Sequence, residues 1–320
     1  MNPTRKLRAL ILLVLIFSLT SFDTGVANAK KKKKEALTGT PVLWQQPDDI
    51  TSRDLFLGPG GKAMRPDLRR ITFIKEEKGG YSKKYRIRDG SGHEWVAKVG
   101  KEAQSETSAV RLLWGMGYVT EVNYLVPRIT IPGKGTFTNV RLEARPENWK
   151  RGGEWQWKQN PFTGTPQLQG LKILMALINN WDLKDSNNLI IKDRGELRYT
   201  ISDLGATFGH ASTTPIFWRI TRSRNNPENY AKSNFFEKVK GDRVVLHFGG
   251  KNRGLMKDIS INDAQWIASL LSQLSDQQLR DAFRAANYTP GQVNLLVREV
   301  RERTNELVSL RPNVQIQRGN

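Results

Sequence analysis

A chain of 320 residues with 38% apolar content and nine tryptophans has room for one large or two modest domains around a buried core. Its net charge of +20 points to an anionic partner (phosphate, nucleic acid or an acidic envelope surface) or else to a solvated basic exterior. With no cysteine, a disulfide framework and anchoring through a lipid-modified cysteine are both excluded, so stability must come from the core.

The first 29 residues have the layout of a secretory signal peptide. Arg5, Lys6 and Arg8 precede an apolar stretch from Ala9 to Leu19, and the small residues Ala27 and Ala29 place cleavage after Ala29. The stretch is short for a spanning helix, which needs roughly 20 residues. Cleavage leaves no transmembrane span and an exported protein, periplasmic or extracellular; an uncleaved membrane anchor is the alternative. Residues 30–68 read as a basic, irregular extension. Lys30–Lys34 is a run of like charges that repel rather than pack, a solvated tail or a contact with an anionic envelope surface. Thr38 to Pro66 is rich in Pro and Gly.

Residues 69–145 read as a β-rich lobe. "RRITFIKEE", "KKYRIRD" and "HEWVAKV" alternate and are separated by the turn sequences "KGGYS" and "DGSG", which predicts a three-stranded antiparallel meander. "SETSAVRLLWGMGY" follows as a helix with Ala109, Leu112, Leu113 and Met116 on one stripe and Ser105 as its expected cap. "YLVPRITI" and "TFTNVRLEAR" are two further strands.

Residues 146–320 read as a larger helical lobe. It opens with the Trp-, Gly- and Pro-rich loop "PENWKRGGEWQWKQNPFTGTPQ" and the buried helix "LQGLKILMALINN". The strands "NLIIKD" and "LRYTISD" flank a turn at Arg194–Gly195. Three helices close the chain from Ile261, with Ser275 and Thr289 as caps and Pro290 at a first helical position. The expected fold class is therefore α+β and bilobal, with a ligand cleft between the lobes.

Four polar positions fall in an informative order. Lys98 ends a strand in "WVAKV", and Glu106 is expected in the first turn of the next helix. Asp182, Lys184 and Asn187 form D-x-K-x-x-N after a buried helix, and Asp203 ends a strand in "ISDLG". Singly, each has a plainer reading: an edge-strand lysine, a helix-start acid favoured by the macrodipole, a polar turn, a strand exit. Together, over about residues 70–310, they resemble the protein-kinase-like superfamily, in an atypical, bacterial exported form similar to HipA-like, secretory-pathway and phosphatidylinositol kinases. V-A-K corresponds to V-A-I-K, D-L-K-D-S-N to the catalytic loop and D-L-G to D-F-G.

The resemblance implies ATP with Mg²⁺ or Mn²⁺ as cofactors and a hydroxyl acceptor on a protein, lipid or envelope component. Nucleic acid is not the expected partner. Lys98, fixed by Glu106, would hold phosphates, which Gly79, Gly80 and Ser82 would cover. Asn187 and Asp203 would give oxygens to the metal, Asp182 would take the acceptor proton, and Lys184 would neutralise the transferring group.

The sequence also departs from that pattern. "KGGYSKKY" is not G-x-G-x-x-G, Trp181 replaces His-Arg before Asp182, the gap from Lys98 to Glu106 is short, and no A-P-E follows Asp203. A pseudokinase-like module that binds a nucleotide or another anion without turnover is the competing reading. Trp149, Trp155 and Trp157 are expected at the hinge or mouth of the cleft. The cluster Arg219 to Arg224 meets an anionic substrate or forms a solvated loop. His93, His210 and His247 lack metal-ligand spacing.

Overall fold

The computed structural model describes residues 37–79, 82–212 and 221–311. The signal segment, Lys30–Lys34, Gly80 and Arg219 lie outside the described residues.

The Pro/Gly-rich lead-in is more integrated than its composition suggests. β1 (Thr40–Val42) runs parallel to a later strand, and Leu43, Ile50 and Leu55 enter the main core. Its backbone is held from afar, because the Gln278 side-chain amide donates to the Ile50 and Arg53 carbonyls at 2.8 and 3.0 Å. Leucines and isoleucines at wide spacing, rather than any periodic element, carry this packing.

β2 (Thr72–Glu77), β3 (Lys83–Arg88) and β4 (Glu94–Val99) form the expected antiparallel meander. α1 (Glu102–Gly115) starts almost at once after β4, which accommodates the short interval from Lys98 to Glu106. Ser105 is therefore not a cap: it sits inside the helix, where its hydroxyl donates to the Glu102 carbonyl at 3.1 Å. β5 (Asn123–Ile131) and β6 (Gly135–Ala144) complete a five-stranded sheet in the order β2-β3-β4-β6-β5. β4 is thus central, and the edge-strand reading of Lys98 is ruled out.

Alternation gives this sheet two unlike faces. Tyr85, Ile87, Trp95, Ala97, Val140, Leu142 and Ala144 form a separate apolar core on one face. Across the same registers the other face pairs Lys84 with Lys98, Arg86 with Val96, Lys98 with Arg141, and Val96 with Glu143.

β7 (Lys150–Arg151) leads toward α2 (Pro166–Leu177), where Thr165 accepts from the Leu168 N–H and Pro166 occupies the first turn. β8 (Asn188–Asp193) and β9 (Glu196–Ile201) form a hairpin. Its two turn residues, Arg194 and Gly195, both have positive φ, 46° and 88°, as a tight turn matched to strand twist requires.

α3 (Pro227–Ala231), the hairpin β10 (Phe236–Lys240) and β11 (Arg243–Leu246), and α4 (Ile261–Leu271), α5 (Asp276–Arg284) and α6 (Pro290–Val308) complete the helical lobe. α4, α5 and α6 each begin with a full capping box, on Ser260, Ser275 and Thr289. Trp155 and Trp157 do not stand at a cleft mouth. They are buried in the helical lobe's core, and the Trp155 indole donates to the Thr200 carbonyl at 2.8 Å. Their large apolar area favours the core over the cleft edge that their polar neighbours suggested.

Candidate active site

Lys98 sits on the charged face of the central strand and is only 3% exposed. A buried ammonium needs carboxylates around it, and α1 supplies two, one turn apart. Nζ lies 2.9 Å from Glu106 Oε2 and 2.9 Å from Glu102 Oε2, with Asp203 Oδ1 at 3.5 Å. Glu106 is shared with Arg141 at 2.9 Å. Burial pushes the Glu106 carboxyl up, and Arg141 and Lys98 oppose that push. Glu102, not singled out from the sequence, also accepts from Ser82 Oγ at 3.2 Å and pairs with Arg224. Its signal was its spacing four residues before Glu106, which puts both acids on one helix face.

The ionic lattice extends behind Lys98. Arg141 reaches Glu143 at 2.7 Å, Arg145 also pairs with Glu143, and Arg151 reaches Glu121 at 2.6 Å. Burial and the neighbouring Glu143 push Glu121 up to about 7, although Arg151 and Arg145 pull the other way. Glu143 is also raised by burial, but Arg145, Arg141 and Arg151 outweigh it and hold the carboxyl low.

Asp203 is brought to Lys98 by a turn docked on α1. A Cβ on Gly205 would meet the Glu102 Cβ at 2.7 Å, so only glycine permits this approach. The Gly205 N–H donates to Asp203 Oδ1 at 3.1 Å, and Ser105 Oγ donates to the Gly205 carbonyl at 3.0 Å. Burial raises the Asp203 carboxyl, but the Lys98 charge, that N–H and Arg141 outweigh it and leave it below its ordinary value. Its side chain is 47% exposed.

The segment from Trp181 to Asn187 is built differently. The Ser202 and Asp203 N–H groups both donate to the Asn187 carbonyl, at 2.8 and 3.3 Å, so main-chain bonds place Asn187 beside Asp203. The Asn187 side-chain amide donates to the Asp182 carbonyl at 2.6 Å and to Oδ2 at 3.3 Å, which leaves its own side-chain oxygen for a cation. Asp182 Oδ2 lies 3.0 Å from Lys184, and Oδ1 lies 2.7 Å from Lys251. Burial raises Asp182, and hydrogen bonds from Lys251, Lys184 and Asn187 together more than reverse it. Lys251, far along the chain, gave no sequence signal. It is positioned because its own N–H donates to the Trp181 carbonyl at 2.7 Å.

Two cavities adjoin these groups. One, of about 460 Å³, is bounded by Gly152, Gly153, Ser186, Leu189 and Ser202, neighbours of Asn187 and Asp203. The other, of about 880 Å³, is bounded by Ser82, Gly100, Glu102, Trp181 and the segment from Arg222 to Arg224. Gly79 has φ of 100° with open space around it, and among the described residues no hydrogen bond or ion pair joins it to the cluster. Among the described residues, no group of three or more His, Cys, Asp or Glu forms a metal cage. A cation held by Asn187 and Asp203 would take its remaining oxygens from phosphates and water, the usual arrangement for Mg²⁺.

A β-rich lobe and a helical lobe meet here in a bilobal α+β fold. Among solved structures the chain is similar to a Helicobacter pylori proinflammatory kinase, CtkA, at 10% identity and a TM-score of 0.48, over 76% of this chain and 95% of that one. No protein-family model and no curated protein matches the chain.

Proposed function

We propose that the protein is an ATP-dependent phosphotransferase acting on a hydroxyl acceptor. The observation that carries this reading is the buried Lys98, clamped by Glu106 on a central strand and facing Asp203. A structural lysine already paired with Glu106 and Glu102 does not require a third, half-exposed carboxylate beside a second oxygen donor, whereas a phosphate-binding lysine next to a metal site needs that geometry.

In this reading Lys98 binds the nucleotide phosphates, and Ser82 with Gly79 and Gly80 closes over them. Asn187 and Asp203 hold Mg²⁺ or Mn²⁺, which supplies neutralisation of phosphate charge when bound. The acceptor oxygen forms a bond to the γ-phosphorus as the bond to the β,γ-bridging oxygen breaks. That electron pair leaves on ADP, and the hydroxyl proton passes to the Asp182 carboxylate. Lys184 stabilises charge on the transferring group. The signal-like first 29 residues make the protein exported; among the described residues no helix is long and apolar enough to cross a membrane.

Thermal shift with Mn²⁺ and ATP tests the reading. The wild type is expected to rise by several degrees at ligand well above Kd, and Asp203→Ala not at all. No shift in the wild type overturns it. One observation favours the pseudokinase-like alternative: Asp182 is bridged by two ammonium groups, which weakens it as a base. Nucleotide binding with neither ADP formation nor phosphorylated product would establish that alternative.

A further inference from the structure

Arg111 carries a buried charge that its neighbours leave unbalanced. It stands on α1 nine residues after Glu102, about two and a half turns, and so faces away from Lys98. The residue is 1% exposed, yet among the described residues no carboxylate forms an ion pair with it. Its partners are neutral. Nη1 donates to Asn123 Oδ1 at 3.2 Å and Nη2 to the Asn123 carbonyl at 2.8 Å, and the guanidinium lies 5.5 Å from the Tyr124 ring centroid. Gly58, at φ of 67°, packs on the same group, where a Cβ would meet Nε at 2.4 Å. Among the described residues two buried atoms here have no hydrogen-bond partner, Arg111 Nε and Asn123 Nδ2. Both are donors, so the group that would satisfy them is an acceptor. Burial pushes the Arg111 pKa down to about 10, with Tyr124 and Asp54 opposing it. An unpaired buried charge is costly to any fold.

The same guanidinium bounds a cavity of about 340 Å³ between the lead-in, β5 and the connection from α5 to α6. Arg65 and Arg284 stand at it too, and no carboxylate lines it. Arg284 is already paired with Asp281 at 2.8 Å and lies over the Phe56 ring, which leaves the charges of Arg111 and Arg65. Much of the remaining wall is apolar, from Phe56, Leu68, Val126 and Pro127. Phe56 and Leu68, 42% and 38% exposed, are two of the four large apolar residues left exposed among the described residues, and both border this cavity.

We infer that this cavity is a binding site for an organic carboxylate with a short apolar body. The inference is independent of the phosphotransferase reading. A guanidinium fork takes a carboxylate bidentately, and one carboxylate balances the one charge that is buried. A phosphate dianion would have to shed more water among these apolar walls. The body covers Phe56 and Leu68, and a volume near the small end of ligand sites limits it to a medium-length chain or a single ring. The bound acid joins α1 to β5 and to the connection after α5, so it raises the stability of the whole.

The test titrates the full chain by calorimetry with octanoate and 3-phenylpropionate, with their amides, and with acetate and octyl phosphate. At least one of the two acids is expected to bind at least tenfold more tightly than its own amide and than acetate, and to raise the melting temperature. Arg111→Met removes the charge and keeps the length of the side chain. It should abolish that binding and leave the ligand-free protein as stable as the wild type or more so. A purely structural arginine predicts the reverse, a marked fall in melting temperature with acid binding retained. Arg65→Ala should weaken binding a few-fold and Leu68→Glu tenfold or more; both positions are exposed, so they decide the matter if Arg111→Met does not fold. Equal binding of acid and amide, acetate as tight as the acids, tighter binding of octyl phosphate, or no binding by either acid overturns the inference. So does unchanged binding in Arg65→Ala and Leu68→Glu. Competition between the acids and Mn²⁺·ATP would put them in the candidate active site instead, which also overturns it.

Discussion

Lys98 and Lys184 make a useful pair. Both are lysines beside proposed catalytic carboxylates, yet Lys98 is almost wholly buried among three acids, whereas Lys184 is 43% exposed and touches one. Around Lys98 the charges are locked by burial, and each partner has a second partner. Around Asp182 the ammonium groups of Lys184 and Lys251 reach in from side chains that are 43% and 41% exposed. The Lys98 region, the upper one, is a preformed socket, and the Asp182 region, the lower one, is a more open edge where, on the proposed function, a substrate would displace a lysine.

The contrast predicts opposite signatures for substitutions in the two regions. In the lower region, Asp182→Asn should cut phosphoryl transfer by about 10²–10⁴-fold with nucleotide affinity and melting temperature nearly unchanged, as read by product formation and thermal shift. In the upper region, Glu106→Gln leaves the buried Lys98 and Arg141 short of a counter-charge. It should cost about 3–5 kcal/mol of stability, measured by denaturant unfolding, because a broken buried pair is expensive. A fully stable Glu106→Gln protein would erase the distinction.

Finer changes sharpen it. Lys251→Ala removes one bond that lowers Asp182, so the Asp182 pKa should rise toward its ordinary value. The acid limb of the pH–rate profile should then move to higher pH, while the melting temperature holds. The smallest effect concerns Glu121. Its folded pKa of about 7 lies above the ordinary carboxylate value, so its contribution to stability is full below that value and is lost as pH rises through about 7. The wild-type melting temperature should therefore fall between pH 5 and 8, and Glu121→Gln should flatten that slope.

Local signals served the fold well. Alternation located the strands from Thr72 to Val99, and Ser275, Thr289 and Pro290 marked helix starts that the structure keeps. Misreadings occurred where tertiary packing overrides local pattern. Ser105 looked like a cap because the helix was not expected to begin at Glu102, and Trp155 and Trp157 were expected at the hinge or mouth of the cleft because their loop interleaves aromatics with cations. At the site, Lys98, Glu106 and Asp203 were each visible from their place in a motif. Lys251 was not, since it meets Asp182 only through the long-range bond to the Trp181 carbonyl. The lattice of Arg141, Glu143 and Arg145 was partly legible, because alternation in "RLEAR" puts all three on one face opposite Leu142 and Ala144. Their partner Arg151 was not, because it arrives from beyond a loop.

The β8–β9 hairpin has a practical consequence. Its open end holds Asn187 against Ser202 and Asp203 through main-chain bonds, and its tight turn lies at the opposite end, at Arg194–Gly195. Residues added at that turn lengthen the loop without shifting the paired strands, so the spacing of the two oxygen donors is insulated from them. The Gly195 carbonyl also accepts from the Thr40 N–H at 2.9 Å, so a reporter or an affinity handle is best placed at Arg194, ahead of that bond.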